Sequence, residues 1–103
     1  MHLVQILLPL RTPHGNAFPH GDFARVASEL TDRFGGMTAY ARAPASGLWQ
    51  EEGSGRTERD DIVVYEVMVD ELDTQWWAHY RRTLEMRFAQ HELVVRAQEM
   101  RRL

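Results

Sequence analysis

A chain of 103 residues has room for one modest hydrophobic core and not for two, so a single domain spanning 1–103 is expected. The net charge is −3, and all twelve basic residues are arginines dispersed among fifteen acids, so the chain lacks the basic block that a nucleic-acid partner needs. Cysteine is absent, which excludes disulfides, thiolate metal sites and cysteine nucleophiles and suits a cytoplasmic location.

The N-terminal run Met1–Leu10 is apolar, but no Lys or Arg precedes it and Gln5 and Pro9 interrupt it, so a strand is predicted rather than a signal peptide. Residues 3–10 place Val4, Ile6, Leu8 and Leu10 on one side and Leu3, Gln5 and Leu7 on the other. Nothing in the chain approaches the roughly 20 apolar residues of a membrane span. Residues 11–16 are rich in turn formers and read as a loop. From about Pro19 the spacing of Phe23, Val26, Ala27, Leu30 and Phe34 predicts an amphipathic helix. Pro19 in the first turn or Asp22 as the cap would start it, and Gly35-Gly36 would end it.

Met37–Arg42 alternates and is predicted as the second strand. Residues 43–61 follow as a projecting ribbon: Pro44 breaks the ladder, Leu48–Glu51 resume an extended course, and Gly53-Ser54-Gly55 make the tip. Ile62–Asp70 is the most β-branched run of the chain and is predicted as a central strand. Asp73 then caps a helix of about four turns whose stripe is Trp76, Trp77, Tyr80, Leu84 and Phe88, leaving Arg81, Arg82, Glu85 and Arg87 for solvent. Leu93–Ala97 reads as a fourth strand because of Val94-Val95, with 98–103 as a tail. Since Gln90-His91 contains neither Gly nor Pro, continued helix is the alternative.

The order β-α-β-β-α-β predicts an α+β, ferredoxin-like sandwich: an antiparallel sheet with both helices on one face and the first and third strands central. That arrangement leaves Leu3, Leu7, Ile62, Val64 and Met68, joined by Val94, on a face without helices. A patch of this kind is more than a soluble monomer usually exposes, and burying each side chain is worth roughly 1.5–3 kcal/mol. A second copy packing sheet to sheet is therefore expected.

Gln5 and Glu66 share the open face by parity, with Tyr40, Arg42 and Arg96 on the flanking strands. A mid-strand carboxylate among valines must be paired, hydrated or protonated. An ion pair with Arg42 or Arg96 is the first reading. A carboxylate of raised pKa acting as general acid or base in a cleft is the second, and exposure through a shifted register the third. The candidate ligand set is Gln5, Tyr40, Arg42, Trp49 and Glu66, lining a cleft between the sheet and the 43–61 ribbon. Trp49 with Arg42 and Arg56 has the chemistry to clamp a planar or anionic ligand, and equally to anchor the ribbon.

The remaining candidates are weaker. His14, His20 and Asp22 fall on flexible loop positions with no compact ligand spacing, so no metal is predicted. His79 reads as a surface histidine of the second helix, and His2 and His91 sit near element ends. Ser28, Ser46 and Ser54 lack a nucleophile elbow, and Gly53-x-Gly55 precedes no strand-to-helix transition. Trp76, Trp77 and Tyr80 at helical spacing are core residues first.

Taken with Gly47-Leu48-Trp49 and the strand Ile62-Val63-Val64-Tyr65, the segment Gly35-Gly36-Met37-Thr38-Ala39-Tyr40 resembles a family of small, uncharacterised bacterial proteins carrying G-G-x-T-x-Y, then G-L-W, then a valine-rich strand. The resemblance covers most of the chain and implies no catalytic residue. At fold level the chain also resembles dimeric α+β barrel proteins, which include cofactor-free oxygenases, haem-degrading enzymes and decarboxylase-like members, without matching any of their catalytic motifs. Acylphosphatases share the topology, but their glycine-rich, arginine-bearing loop after the first strand is missing. RNA-recognition domains need aromatics where this chain has Gln5, Leu7, Val64 and Glu66. The expected function is a self-associating, non-catalytic domain that dimerises through its open face. The alternative is a small-molecule binding protein or cofactor-free enzyme. No cofactor, membrane or nucleic acid is implied.

Overall fold

The computed structural model describes residues 1–42 and 62–103, the last of the first group by its backbone only. The elements are β1 (His2–Pro9), α1 (His20–Phe34), β2 (Thr38–Arg42), β3 (Ile62–Val69), α2 (Thr74–Arg87) and β4 (Val95–Glu99). The predicted 43–61 ribbon, with Trp49, Arg56 and the Gly53–Gly55 tip, lies outside the described residues.

One antiparallel sheet of order β2-β3-β1-β4 results, with the two most apolar strands central. The arrangement is the α+β class expected and is consistent with a ferredoxin-like sandwich. β1 and β3 pair over their whole length, from His2 opposite Val69 to Pro9 opposite Ile62. Parity then decides which side chains meet the helices. Val4, Ile6 and Leu8 of β1 and Tyr65, Val67 and Val69 of β3 share one core with Val26 and Leu30 of α1 and Trp77, Tyr80 and Leu84 of α2. Both helices thus cover the same face.

Aromatic rings close the two ends of this layer. Phe88 meets Phe18 edge-on at 5.2 Å and Phe23 at 5.4 Å. At the other end Phe34 stacks on Trp77, Trp76 stacks on Tyr80, and the Arg33 guanidinium lies 4.2 Å from the Trp76 ring centre.

Capping explains where the helices begin and end. Asp73 caps α2 by accepting from the Trp76 N–H at 3.0 Å, as predicted. Pro19 holds the cap position of α1 without any side-chain bond, so Asp22 is not the cap. Asp22 instead adds negative charge to the first turn, where the helix dipole favours it. Gly35 stops α1 in the left-handed conformation (φ 81°) while its N–H donates to Thr31.

α2 ends by the same device without glycine. Ala89 takes φ 51°, its N–H donates to the Met86 carbonyl, and Gln90 N–H donates to the Glu85 carbonyl. This is a Schellman closure with alanine where glycine is usual. It also decides the strand-or-helix alternative for 93–97. The chain turns at Ala89, Glu85 accepts from the Leu93 N–H, and a strand follows. That strand sits two residues later than predicted, so 98–103 is not all tail: Gln98 and Glu99 belong to β4, and Met100 N–H donates to the Met1 carbonyl.

Two α2 side chains assigned to solvent are engaged. Glu85 holds Leu93, and Arg87, only 12% exposed, makes a bidentate pair with Glu29 of α1 at 2.6 and 3.1 Å. Tyr80 donates to the same carboxylate at 3.1 Å. Charged residues at helical spacing carry no mark of the helix they will face, which is why parity within one helix assigned them outward.

Candidate functional site

The register lines up Thr38, Glu66, Gln5 and Arg96 as one row across all four strands on the face opposite the helices. Tyr40 stands one row away, opposite Val64. Arg96, Gln5, Glu66 and Tyr40 form a continuous hydrogen-bonded chain. Arg96 Nε donates to Gln5 Oε1 at 2.8 Å, and Gln5 Nε2 donates to Glu66 Oε1 at 2.7 Å. The Tyr40 hydroxyl donates to that same Oε1 at 2.7 Å. Gln5 bridges because an amide both accepts and donates, so it relays between a cation and an anion.

Three of the five predicted ligand residues, Gln5, Tyr40 and Glu66, therefore come together. Arg42 is placed on the same face by its register with Ile62, and Trp49 lies outside the described residues. The direct ion pair expected between Glu66 and Arg96 does not form, because Gln5 stands between them in the row. Among the described side chains no cation lies within ion-pair distance of Glu66, and its Oε2 accepts no hydrogen bond. The bond to the Glu66 carboxylate raises the Tyr40 pKa above its ordinary value of 10.0, since losing the phenolic proton would set two anions together.

The apolar part of this face is smaller than predicted. Met68 is 53% exposed, Val94 49% and Tyr40 42%, but Leu3, Leu7 and Ile62 are half-buried and Val64 is only 2% exposed. The polar row divides what remains. On one side of it a cleft of about 530 Å³ runs to the C-terminal end of α1, lined by Leu3, Phe34, Met37, Thr38, Glu66 and Met68.

Other candidates come to rest apart from this row. His14 and His20 are exposed, His79 is exposed on α2, and among the described residues no cluster of His, Asp or Glu is close enough to hold a metal ion. Trp77 and Tyr80 are core, as predicted, and Trp76 packs against it. Two features went unforeseen: the Glu29–Tyr80–Arg87 cluster between the helices, and Arg81, whose Nε is buried without an acceptor. Arg81 lines a second cleft, of about 260 Å³, between α2 and β4.

No family model matches the chain, and no curated protein matches it. Its resemblance to the small bacterial family therefore rests on the quoted motif alone, while the small α+β fold has a counterpart. A solved structure of a phage SAM lyase in complex with S-methyl-5'-thioadenosine is similar to it, with a TM-score of 0.50 and 16% identity. The similarity covers 95% of this chain and 80% of that one. At that identity the likeness is one of fold. Among the described residues no helix is long and apolar enough to cross a membrane.

Proposed function

We propose that the chain binds a small cationic molecule with an apolar body on the open sheet face, at the carboxylate of Glu66. One observation carries this reading. Glu66 is fixed through Oε1 by two neutral donors, Gln5 and Tyr40, while Oε2 has no partner among the described residues. A carboxylate oriented in this way is preorganised for a positive group, because the donors that hold it do not cancel its charge. The adjoining cleft adds Leu3, Phe34, Met37 and Met68 for the apolar body. Glu66 is also placed to accept a proton from a bound substrate, with Tyr40 as the donor beside it, so the reading extends to a cofactor-free enzyme.

The phage SAM lyase supports the choice of probe, since SAM is a sulfonium cation carrying a methyl group, a planar base on its ribose and a zwitterionic aminocarboxypropyl arm. Isothermal titration with SAM and with S-methyl-5'-thioadenosine, a neutral thioether that keeps the adenosyl body but lacks the positive sulfur and its aminocarboxypropyl arm, tests the reading. SAM is expected to bind the wild-type chain, and Glu66→Gln to weaken it by about tenfold or more with the fold intact by circular dichroism. Absence of binding by both probes, or equal affinity in the variant, would overturn it.

A second reading is self-association through the same face, favoured by the exposed apolar side chains of Met68 and Val94 beside the polar row. Light scattering decides it: Met68→Arg is expected to dissociate an oligomer built on this face. An oligomer of unchanged size in that variant removes the face as an interface.

A further inference from the structure

The edge strand β4 is the least protected element of the sheet. Among the described residues its outer side has no partner. Leu7 N–H donates to the Val94 carbonyl and Met100 N–H to the Met1 carbonyl, so the even-numbered residues of this stretch turn their backbone groups toward β1. Val95, Ala97 and Glu99 therefore point theirs outward. Such an edge templates another strand unless proline, a bulge or a covering element blunts it. β4 contains no proline, and its register with β1 runs without a bulge. Ala97 and Glu99 are exposed even on the side where the helices lie.

A second, independent feature adjoins that edge. The cleft between α2 and β4 is lined by Val4, Thr74, Trp77, Arg81, Val95 and Ala97, and no acidic side chain lines it. Arg81 Nε is buried there without a hydrogen-bond acceptor, while the side chain as a whole is 42% exposed and makes a long ion pair with Glu85 at 4.0 Å. That contact is too long for a hydrogen bond, so the exposed part of the guanidinium is free to take a second carboxylate at the mouth of the cleft.

We infer that β4 pairs antiparallel with β4 of a second copy about a twofold axis at Ala97, seating Glu99 of each copy beside Arg81 of the other. Symmetry and the backbone together select this register. A twofold axis normal to the sheet pairs residues that share a face, and the outward groups belong to Val95, Ala97 and Glu99. Centred on Ala97, the pairing sets Val95 against Glu99 of the second copy and Arg96 against its Gln98. Centred on Arg96, it sets arginine against arginine, which is unfavourable. Centred on Gln98, it pairs Val95 with a residue past the end of the strand. In the selected register Glu99 of the second copy lies across from Val95, which lines the arginine-bearing cleft. The hydrogen-bonded row on the open face gains Gln98 of the second copy beyond Arg96. This association does not depend on the reading of Glu66.

Sedimentation velocity on the full chain tests it. A dimer is expected for the wild type. Ala97→Pro removes an outward N–H and no bond to β1, so it should give a monomer with an unchanged circular dichroism spectrum. Arg81→Glu and Glu99→Arg should each weaken the dimer by about tenfold or more, and the two combined should restore it. Met68→Arg should leave this dimer intact, which separates it from association through the open face. A wild-type monomer, a dimer that survives Ala97→Pro, or a double reversal that fails to recover association would overturn the inference.

Discussion

The helix layer and the open face of the sheet each set a carboxylate beside a tyrosine, and they satisfy it by different means. Between the helices, Glu29 accepts from Tyr80 and is met directly by both arms of the Arg87 guanidinium. On the open face, Glu66 accepts from Tyr40 and Gln5, and the nearest described arginine of its row, Arg96, reaches only Gln5. The first cluster is complete in itself and pins α1 to α2. The second holds a charge in a fixed place without neutralising it. A bidentate ion pair is what a protein needs to join two elements; a carboxylate held by neutral groups is what it needs to receive a cation. The difference turns on one residue type, because a neutral glutamine, Gln5, stands between Glu66 and Arg96 where an arginine would close the pair.

The largest test of this contrast compares truncations beneath and above the sheet. Leu84, fully buried among the helix-side residues, is expected to cost about 2–5 kcal/mol as Leu84→Ala. Met68→Ala on the open face is expected to stay within about 0.5 kcal/mol. Both are read by urea denaturation, and equal losses would mean that the open face is as structural as the core.

Next in size is Arg87→Met. With Glu29 36% exposed the pair is partly screened, so a loss of about 1 kcal/mol is expected. Its pH dependence has a definite sign. The Arg87 hydrogen bonds hold the Glu29 pKa below its ordinary 4.5, so the contribution is complete above that value and fades as pH falls through the lower folded pKa. Stability measured on the acid limb should therefore fall less steeply in Arg87→Met than in the wild type.

Of similar size and opposite direction is Ala89→Gly. Relieving the left-handed strain at the end of α2 should stabilise the chain by about 1 kcal/mol in the same denaturation assay. It should leave both carboxylate clusters unchanged. The smallest effect is spectroscopic. Tyr40 should ionise above its ordinary range in an ultraviolet titration and return toward it in Glu66→Gln, without a change in stability. A Tyr40 transition that ignores Glu66 would show that the hydrogen bond on the open face is not held in solution.

Much of this molecule was legible before any coordinates. Strict alternation in β1 and the β-branched run of β3 assigned the faces correctly, and this parity brought Gln5, Glu66 and Tyr40 together as candidates. What stayed hidden has physical reasons. Register along a strand is visible in a pattern, but whether Arg96 would reach Glu66 depended on which residue occupied the strand between them. The partners of Glu29 lie 51 and 58 residues away on another helix, where no periodicity reports them. The end of α2 was ambiguous because alanine does the work of the missing glycine. Val64 shows the converse error: parity put it on the open face, and it is there, yet it is nearly closed off.

The pairing of β1 has a kinetic consequence. β1 bonds only to β3 and β4, both far along the chain, so every pair of the central ladder closes a loop of more than about fifty residues. During synthesis the apolar β1 must wait, unpaired, until β3 has emerged. Folding limited by such distant encounters is slow for a domain of this size. A chaperone that shelters extended apolar segments would be expected to act on residues 2–9 before any other part of the chain.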